Sequence, residues 1–235
     1  SFSVTQLLCN LQTKWPDPAE VHMHFKRIII TLISISMAIF HFYYAMIGFI
    51  PEMHWRVGHL MFAMSLVFLL RPLRKDSVKF AVIDYFLLII ALTPCIYLID
   101  QYSSLAIRIG APLVMDIIMG TIYVLVVLEI TRRTIGWPLV IIGLVFITYC
   151  LIGPYLPGIL SHRGFHYDRI ISQMYLTLEG INGIPLGVMV QYVYFFLVFA
   201  GFLEATGAGK WFIDMAYALT EIGRASCRER VCHRV

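Results

Sequence analysis

Three ionisable residues lie within long apolar runs, where an acid or a base could act on a lipid substrate. They are His41, Asp84 and Glu129. An ionisable group inside an apolar span is a functional candidate by default. Catalysis would need two of these groups at one depth, but His41 lies about 20 Å along its run and both carboxylates lie near run ends. The sequence therefore favours a neutral His41 that is hydrogen-bonded to a neighbouring helix.

The neighbours of the two carboxylates indicate anchoring roles. Glu129 precedes two arginines by three and four residues, a favourable ion-pair spacing on one helix. Asp84 lies about one turn inside its run near Lys79, where its carboxylate could reach the membrane interface. Asp116, near the end of another run, is predicted to be an anchor of the same kind.

The remaining motifs do not indicate an enzyme, a metal site or a nucleotide site. Gly207-Ala208-Gly209-Lys210 lacks the first glycine of a phosphate-binding loop, and Trp211 stands where Ser or Thr is needed. Cys9, Cys95 and Cys150 have no metal-like spacing, and the last two are predicted to pack as small hydrophobic residues. Aromatic residues alternate with apolar rather than basic ones, which argues against nucleic-acid binding. We predict no catalytic, metal-binding or cofactor-binding residue.

The composition is that of a membrane protein. Hydrophobic residues make up 60% of the 235 residues and charged residues 14%, more apolar surface than a soluble domain of this length could bury. Residues 221–235 resemble the translation of a DNA-sequencing adapter and are excluded from fold reasoning. This exclusion removes Cys227, Cys232 and His233 as a candidate metal cluster, and lowers the formal net charge from +4 to +2.

Six apolar runs have about the length of membrane-spanning helices, which predicts an all-α polytopic transmembrane helix bundle. The runs are Ile28–Ile50, Trp55–Leu70, Phe80–Ile99, Pro112–Ile130, Trp137–Leu151 and Ile184–Leu203. Lysine and arginine are concentrated on alternate connections, which predicts a cytoplasmic N-terminus. The cytoplasmic set is Lys14, Lys26, Arg27, Arg71, Arg74, Lys75, Lys79, Arg132, Arg133 and Lys210, and the outer set is Arg56, Arg108, Arg163 and Arg169.

Smaller patterns predict how the helices begin and pack. The longest connection, 152–183, contains an amphipathic segment that is expected to lie along the membrane surface. Asn182 and Pro185 indicate a helix start, as a cap and a first-turn proline. Two stripes of small and polar residues predict close helix approach. They are Ser34, Ala38, His41, Ala45 and Gly48 on the first run, and Gly187, Gln191, Tyr194, Val198 and Gly201 on the sixth.

Motifs in the second half are specific in combination: Gly153-Pro154-Tyr155-Leu156-Pro157-Gly158, His162-Arg163-Gly164-Phe165, residues 178–188, Phe202-Leu203-Glu204, Gly207-Ala208-Gly209 and Phe212-Ile213-Asp214. Upstream motifs agree in layout: His59-Leu60, Arg71-Pro72, Gly110-Ala111-Pro112, Glu129 to Arg133 and Gly136-Trp137. Together they resemble the fused permease of TRAP transporters, the tripartite ATP-independent periplasmic systems, of the type paired with TAXI binding proteins.

This resemblance implies a multi-pass permease of the bacterial inner membrane, a secondary active transporter embedded in membrane lipid. It implies sodium as the coupling ion and an organic acid as the substrate, delivered by a periplasmic solute-binding protein. His162, Arg163 and His166 lie on the predicted outer loop and could contact that protein, although a solvated loop is the simpler interpretation.

The resemblance also implies a division of the chain. After a cytoplasmic or interfacial segment, 1–27, residues 28–133 would be a four-helix, small-subunit-like domain and 134–160 a linking transmembrane helix. Residues 161–220 would begin a truncated large-subunit-like transport domain. The elements that hold sodium and substrate in the family are expected beyond Thr220, so no binding residue is assigned. A membrane-embedded enzyme acting on a lipid and a non-catalytic membrane assembly subunit remain as alternatives.

Overall fold

The computed structural model describes residues 18–49, 51–73, 78–108 and 111–219, and all regular structure in these ranges is helical. The first helices are α1 (Pro18–Ile47), α2 (Glu52–Leu70), α3 (Val78–Asp100), α4 (Tyr102–Arg108), α5 (Val114–Thr134) and α6 (Trp137–Ile152). They are followed by α7 (Tyr167–Tyr175), α8 (Ile184–Val188), α9 (Tyr194–Ala205) and α10 (208–219). The predicted artefact segment, 221–235, lies outside the described residues.

Six helical stretches in the described ranges are long and apolar enough to cross a membrane, as predicted. They are Lys26–Ile47, Glu52–Leu70, Val82–Asp100, Val114–Thr134, Trp137–Tyr155 and Ile184–Ala205. Each matches one predicted run to within a few residues. A span of about 20 residues is what the hydrocarbon thickness requires, so the apolar lengths alone were sufficient to identify them. The all-α polytopic fold is therefore confirmed.

Helices α2, α3 and α5 form the centre of the bundle in residues 1–186. Helix α2 packs against α1, α3 and α5, while α5 also packs against α3, α6 and α7. The buried core contains the apolar residues that these helices turn toward each other: Met53, Val57, Met64, Phe68, Ala91, Cys95, Leu98, Tyr123 and Val126. Large apolar side chains on the outer faces are exposed, which fits a surface solvated by lipid.

Two glycines allow helices to approach closely. A Cβ on Gly58 of α2 would lie 2.3 Å from the ring of Phe40 on α1. A Cβ on Gly120 of α5 would lie 2.5 Å from a methyl group of Ile171 on α7. The predicted stripe on α1 is wrong as a packing surface, because Ser34, Ala45 and Gly48 are not buried and only its histidine is. Small residues do mediate the contact, but from the facing helix.

The predicted amphipathic segment is helical and forms α7, but its apolar face contacts other helices instead of the membrane surface. Helix α7 packs its apolar face, including Ile170, Ile171 and Tyr175, against α5 and the bundle. A face so occupied is not available to lie on lipid. This helix is therefore part of the bundle rather than a free surface helix.

The described residues from 187 to 219 belong to a second compact unit. Between α8 and α9 the helix contains a π-helical turn, Met189–Val193. Because a π turn holds more residues than an α turn, it rotates the following side chains away from their α-helical positions. The predicted stripe from Gly187 to Gly201 is broken accordingly: Gly187 is buried, whereas a Cβ on Gly201 would have no heavy atom within 4 Å.

Candidate functional site

A buried polar cluster joins the loop before α8 to three earlier helices. We call it the Asn182 cluster, and it consists of Arg56, Tyr123, Tyr175 and Asn182. Arg56 on α2 donates to the backbone carbonyl of Asn182 at 2.9 Å. Tyr123 on α5 donates its hydroxyl to Asn182 Oδ1 at 2.7 Å, and Asn182 Nδ2 donates to the carbonyl of Tyr175 at 3.1 Å. Asn182 is completely buried, so one residue satisfies groups from α2, α5 and α7.

The loop that carries Asn182 depends on its glycines. A Cβ on Gly180 would lie 2.4–2.5 Å from the backbone of Gln173 and Met174 at the end of α7. Gly183 would place a Cβ 2.7 Å from the carbonyl of Gly180. Backbone in close contact cannot move aside as a flexible side chain can, so only glycine fits at these positions. The tight loop turns Asn182 inward, and its predicted role as a helix cap is wrong.

Tyr175 extends the cluster to α3. Its hydroxyl donates to the carbonyl of Pro94, inside α3. Burial raises the pKa of Tyr175 well above its ordinary value, because the phenolate would be desolvated. The hydroxyl therefore stays protonated and is the donor in the link between α7 and α3.

Asp116 holds the start of α5 against α3. Its two carboxylate oxygens accept hydrogen bonds from the backbone N–H of Leu113 at 2.9 Å and from the hydroxyl of Tyr97 at 2.6 Å. The role of Asp116 as a topological anchor stays a prediction; in the structure its carboxylate makes a buried contact between helices. An acidic residue in the first turn of a helix also complements the helix dipole.

His41 on α1 pairs with His59 on α2. His41 Nε2 lies 2.9 Å from His59 Nδ1, and His41 Nδ1 lies 2.7 Å from the carbonyl of Met37. A carbonyl can only accept, so His41 Nδ1 carries the proton, and in the neutral pair His59 Nδ1 donates to His41 Nε2. The expected hydrogen bond between His41 and a neighbouring helix is present, and His41 is its acceptor.

An ion-pair network lies at the C-terminal end of α5 and joins it to the first part of α3. We call it the Arg133 network, and it consists of Asp84, Glu129, Arg132 and Arg133. Arg133 binds Asp84 and Glu129 at 2.7 Å each, and Arg132 binds Glu129 at 2.7 Å. The predicted Glu129 pairs are confirmed. Asp84 is buried and binds Arg133 on α5, so its carboxylate pairs with another helix; that it reaches the membrane interface stays a prediction.

The outer loop positions two of its three candidate residues in solvent. Arg163 and His166 are exposed, whereas His162 is half-buried. His162 Nδ1 accepts from the N–H of Gly164 at 3.1 Å, so Nε2 carries the proton and donates to the carbonyl of Tyr149 at 3.1 Å. The ring packs on Gly153, where a Cβ would lie about 2.1 Å from it. His162 therefore shapes the loop.

The described cysteines, Cys95 and Cys150, lie in apolar surroundings. Cys95 is fully buried in the bundle core, as predicted, and Cys150 lines an apolar cavity of about 590 Å³ between α5, α6 and α7. Within 18–49, 51–73, 78–108 and 111–219, no three His, Cys, Asp or Glu residues are grouped to hold a metal ion. The tail cluster of Cys227, Cys232 and His233 lies outside these ranges.

The structure brings together two of the three ionisable candidates, Asp84 and Glu129, but not His41. His41 pairs with His59 where α1 contacts α2, whereas Asp84 and Glu129 both bind Arg133 near the C-terminal end of α5. The sequence does not predict the Asn182 cluster, because its charge pattern places Arg56 only among the residues on the outer side of the membrane. The available signal was an asparagine between two glycines, in an otherwise apolar stretch.

Comparison with known proteins gives one match. Residues 122–226, somewhat less than half of the chain, match the family model of the tripartite ATP-independent periplasmic transporter, DctM component. Searches of curated proteins and of solved structures each find no match. The matched range contains Tyr123, Tyr175 and Asn182, whereas Arg56 and Pro94 precede it. The match and the six membrane-length helices together support a TRAP-type permease component, a multi-pass protein of the inner membrane.

Proposed function

We propose that this chain is the scaffold and entry portion of a sodium-coupled TRAP-type permease, which imports an organic acid delivered by a periplasmic binding protein. The observation that carries the proposal is the Asn182 cluster. It joins the DctM-like range, through Asn182 and Tyr175, to α2 and α3, which precede that range. The two parts thus share one buried polar core.

A scaffold of this kind needs rigid contacts between its helices, because a moving transport domain must work against a fixed frame. The Asn182 cluster supplies such a contact near the middle of α5, at Tyr123, and the Arg133 network supplies another at its C-terminal end. Hydrogen bonds between membrane helices add to van der Waals packing and fix how each helix is rotated about its axis. These features support the bracing role.

We further propose the division expected from the resemblance: 28–133 as the small-subunit-like part, 134–160 as the linking helix and 161–220 as the start of the transport domain. Helix α5 would belong to the brace and also contains the start of the DctM-like range at residue 122. The elements that bind sodium and substrate would lie C-terminal to α10.

The lipid-enzyme alternative has no supporting observation. Each of its candidate groups already has a partner: His41 binds His59, and both Asp84 and Glu129 bind Arg133. A non-catalytic assembly subunit would use the same contacts, and it differs from a permease in whether solute crosses the membrane.

The test measures solute uptake by the protein that the complete gene encodes, with the gene read from its genomic locus. The gene product, reconstituted in vesicles with the binding protein encoded beside it, should take up an organic acid only when sodium is higher outside. Uptake should cease when sodium is equal on both sides. A complete gene that adds no further membrane spans after residue 220, or uptake that ignores sodium, would contradict the proposal.

A further inference from the structure

Three arginines line a cavity at the ends of α2 and α5. The cavity has a volume of about 460 Å³ and its walls are Leu70, Arg71, Pro72, Leu73, Arg132 and Arg133. Two carboxylates, Asp84 and Glu129, bind arginines of this group. Three guanidinium groups against two carboxylates leave one positive charge without a fixed partner among the described residues.

Donors remain available after the ion pairs are formed. Arg132 uses Nε and Nη2 on Glu129, which leaves its Nη1. Arg71 is exposed, and none of the described residues accepts a hydrogen bond from its side chain. Arg133 is held in place by Asp84, by Glu129 and by the carbonyl of Arg71, and its buried Nη2 has no acceptor within the described part of the chain.

The surroundings of the cavity are those of a membrane interface. Arg132 lies 5.5 Å from the ring centre of Trp137, and that tryptophan is 59% exposed at the start of α6. Trp at a helix end is typical of the level of lipid headgroups. Leu70, on the wall of the cavity, is 57% exposed. Guanidinium groups therefore adjoin apolar surface, which is the pattern that an amphiphile requires.

We propose that this cavity binds the phosphate of an anionic phospholipid from the cytoplasmic leaflet, with the acyl chains lying along the apolar surface beside Leu70. Arginine suits this ligand because its planar donors match phosphate oxygens. Basic pockets between membrane helices on the cytoplasmic side bind such headgroups. In the sequence, the same connection carries Arg74, Lys75 and Lys79 with one acidic residue, Asp76.

The test measures binding of phosphatidylglycerol to the detergent-solubilised chain by native mass spectrometry, with phosphatidylcholine as the neutral comparison. Arg71→Gln removes an exposed group that has no described partner, so folding should be unaffected and binding should weaken about fivefold. Arg71→Gln/Arg132→Gln should weaken it about 30-fold, and Lys at both positions should restore only part of the binding, because lysine keeps the charge without the planar donors.

Arg163→Gln is the matched control, since it removes one exposed arginine from the outer loop. This variant should bind phosphatidylglycerol as the unaltered chain does. Equal losses in Arg163→Gln and Arg71→Gln would overturn the proposal, as would unchanged binding in the double variant. Displacement of phosphatidylglycerol by millimolar inorganic phosphate would identify an anion site without lipid selectivity and would also overturn it.

Discussion

Replacing Asn182 by leucine tests the cluster that unites the bundle. Leucine fills a similar volume but leaves two fully or largely buried groups without partners, the hydroxyl of Tyr123 and the carbonyl of Tyr175. Two hydrogen bonds of average strength for membrane helices, about 0.6 kcal/mol each, set a minimum near 1 kcal/mol. Because a buried group left unpaired costs about 1–3 kcal/mol, we expect Asn182→Leu to lower the free energy of unfolding by about 3 kcal/mol.

The assay is a double-mutant cycle with Tyr123→Phe. The free energy of unfolding of each variant is measured from tryptophan fluorescence as sodium dodecyl sulfate unfolds the detergent-solubilised chain. Asn182→Leu/Tyr123→Phe no longer contains the unpaired hydroxyl, so it should be more stable than Asn182→Leu alone by about 1 kcal/mol or more. If the two single losses simply add, the hydroxyl and the amide do not interact and the reasoning is refuted.

Three further predictions use the same unfolding assay. Arg133→Gln should cost about 3 kcal/mol at low and at high salt alike, because the pair is buried; strong salt dependence would contradict this. Gly120→Ala should cost about 1–3 kcal/mol by overpacking, whereas Gly201→Ala, where nothing is within 4 Å, should be neutral or stabilising; equal effects would refute the packing. His59→Gln keeps a donor for the facing imidazole, so it should destabilise less than His59→Leu, and the reverse order would argue against the pair.

The spans could be predicted because bilayer thickness fixes the length of each apolar run. The two shortest predicted runs, Trp55–Leu70 and Trp137–Leu151, are also long enough to cross in the structure, since α2 begins at Glu52 and the fifth span continues to Tyr155. The pairing of Glu129 with its neighbouring arginines was predictable for a related reason. Both depend on spacing along one helix, which the sequence states directly.

Contacts between helices were harder to predict because most of these helices are apolar on every side. Without a polar face, the sequence does not say which way α3 or α5 is rotated. The sequence therefore offered only Lys79 as a neighbour of Asp84, whereas the structure pairs Asp84 with Arg133, 49 residues away. Asn182 resembled a helix cap for the same reason, since its partners on α5 and α7 become neighbours only in the folded bundle.

The charge distribution predicts a cytoplasmic N-terminus, which would put the arginine-lined cavity toward the cytoplasm and the loop around Arg163 toward the periplasm, and site-directed labelling tests this arrangement most directly. Single cysteines at the exposed positions Leu73 and Arg163, in a background without native cysteines, would be treated with a membrane-impermeant maleimide. We predict that Arg163→Cys reacts in spheroplasts and that Leu73→Cys reacts only in inverted vesicles. Labelling of both positions from the same side would contradict the topology.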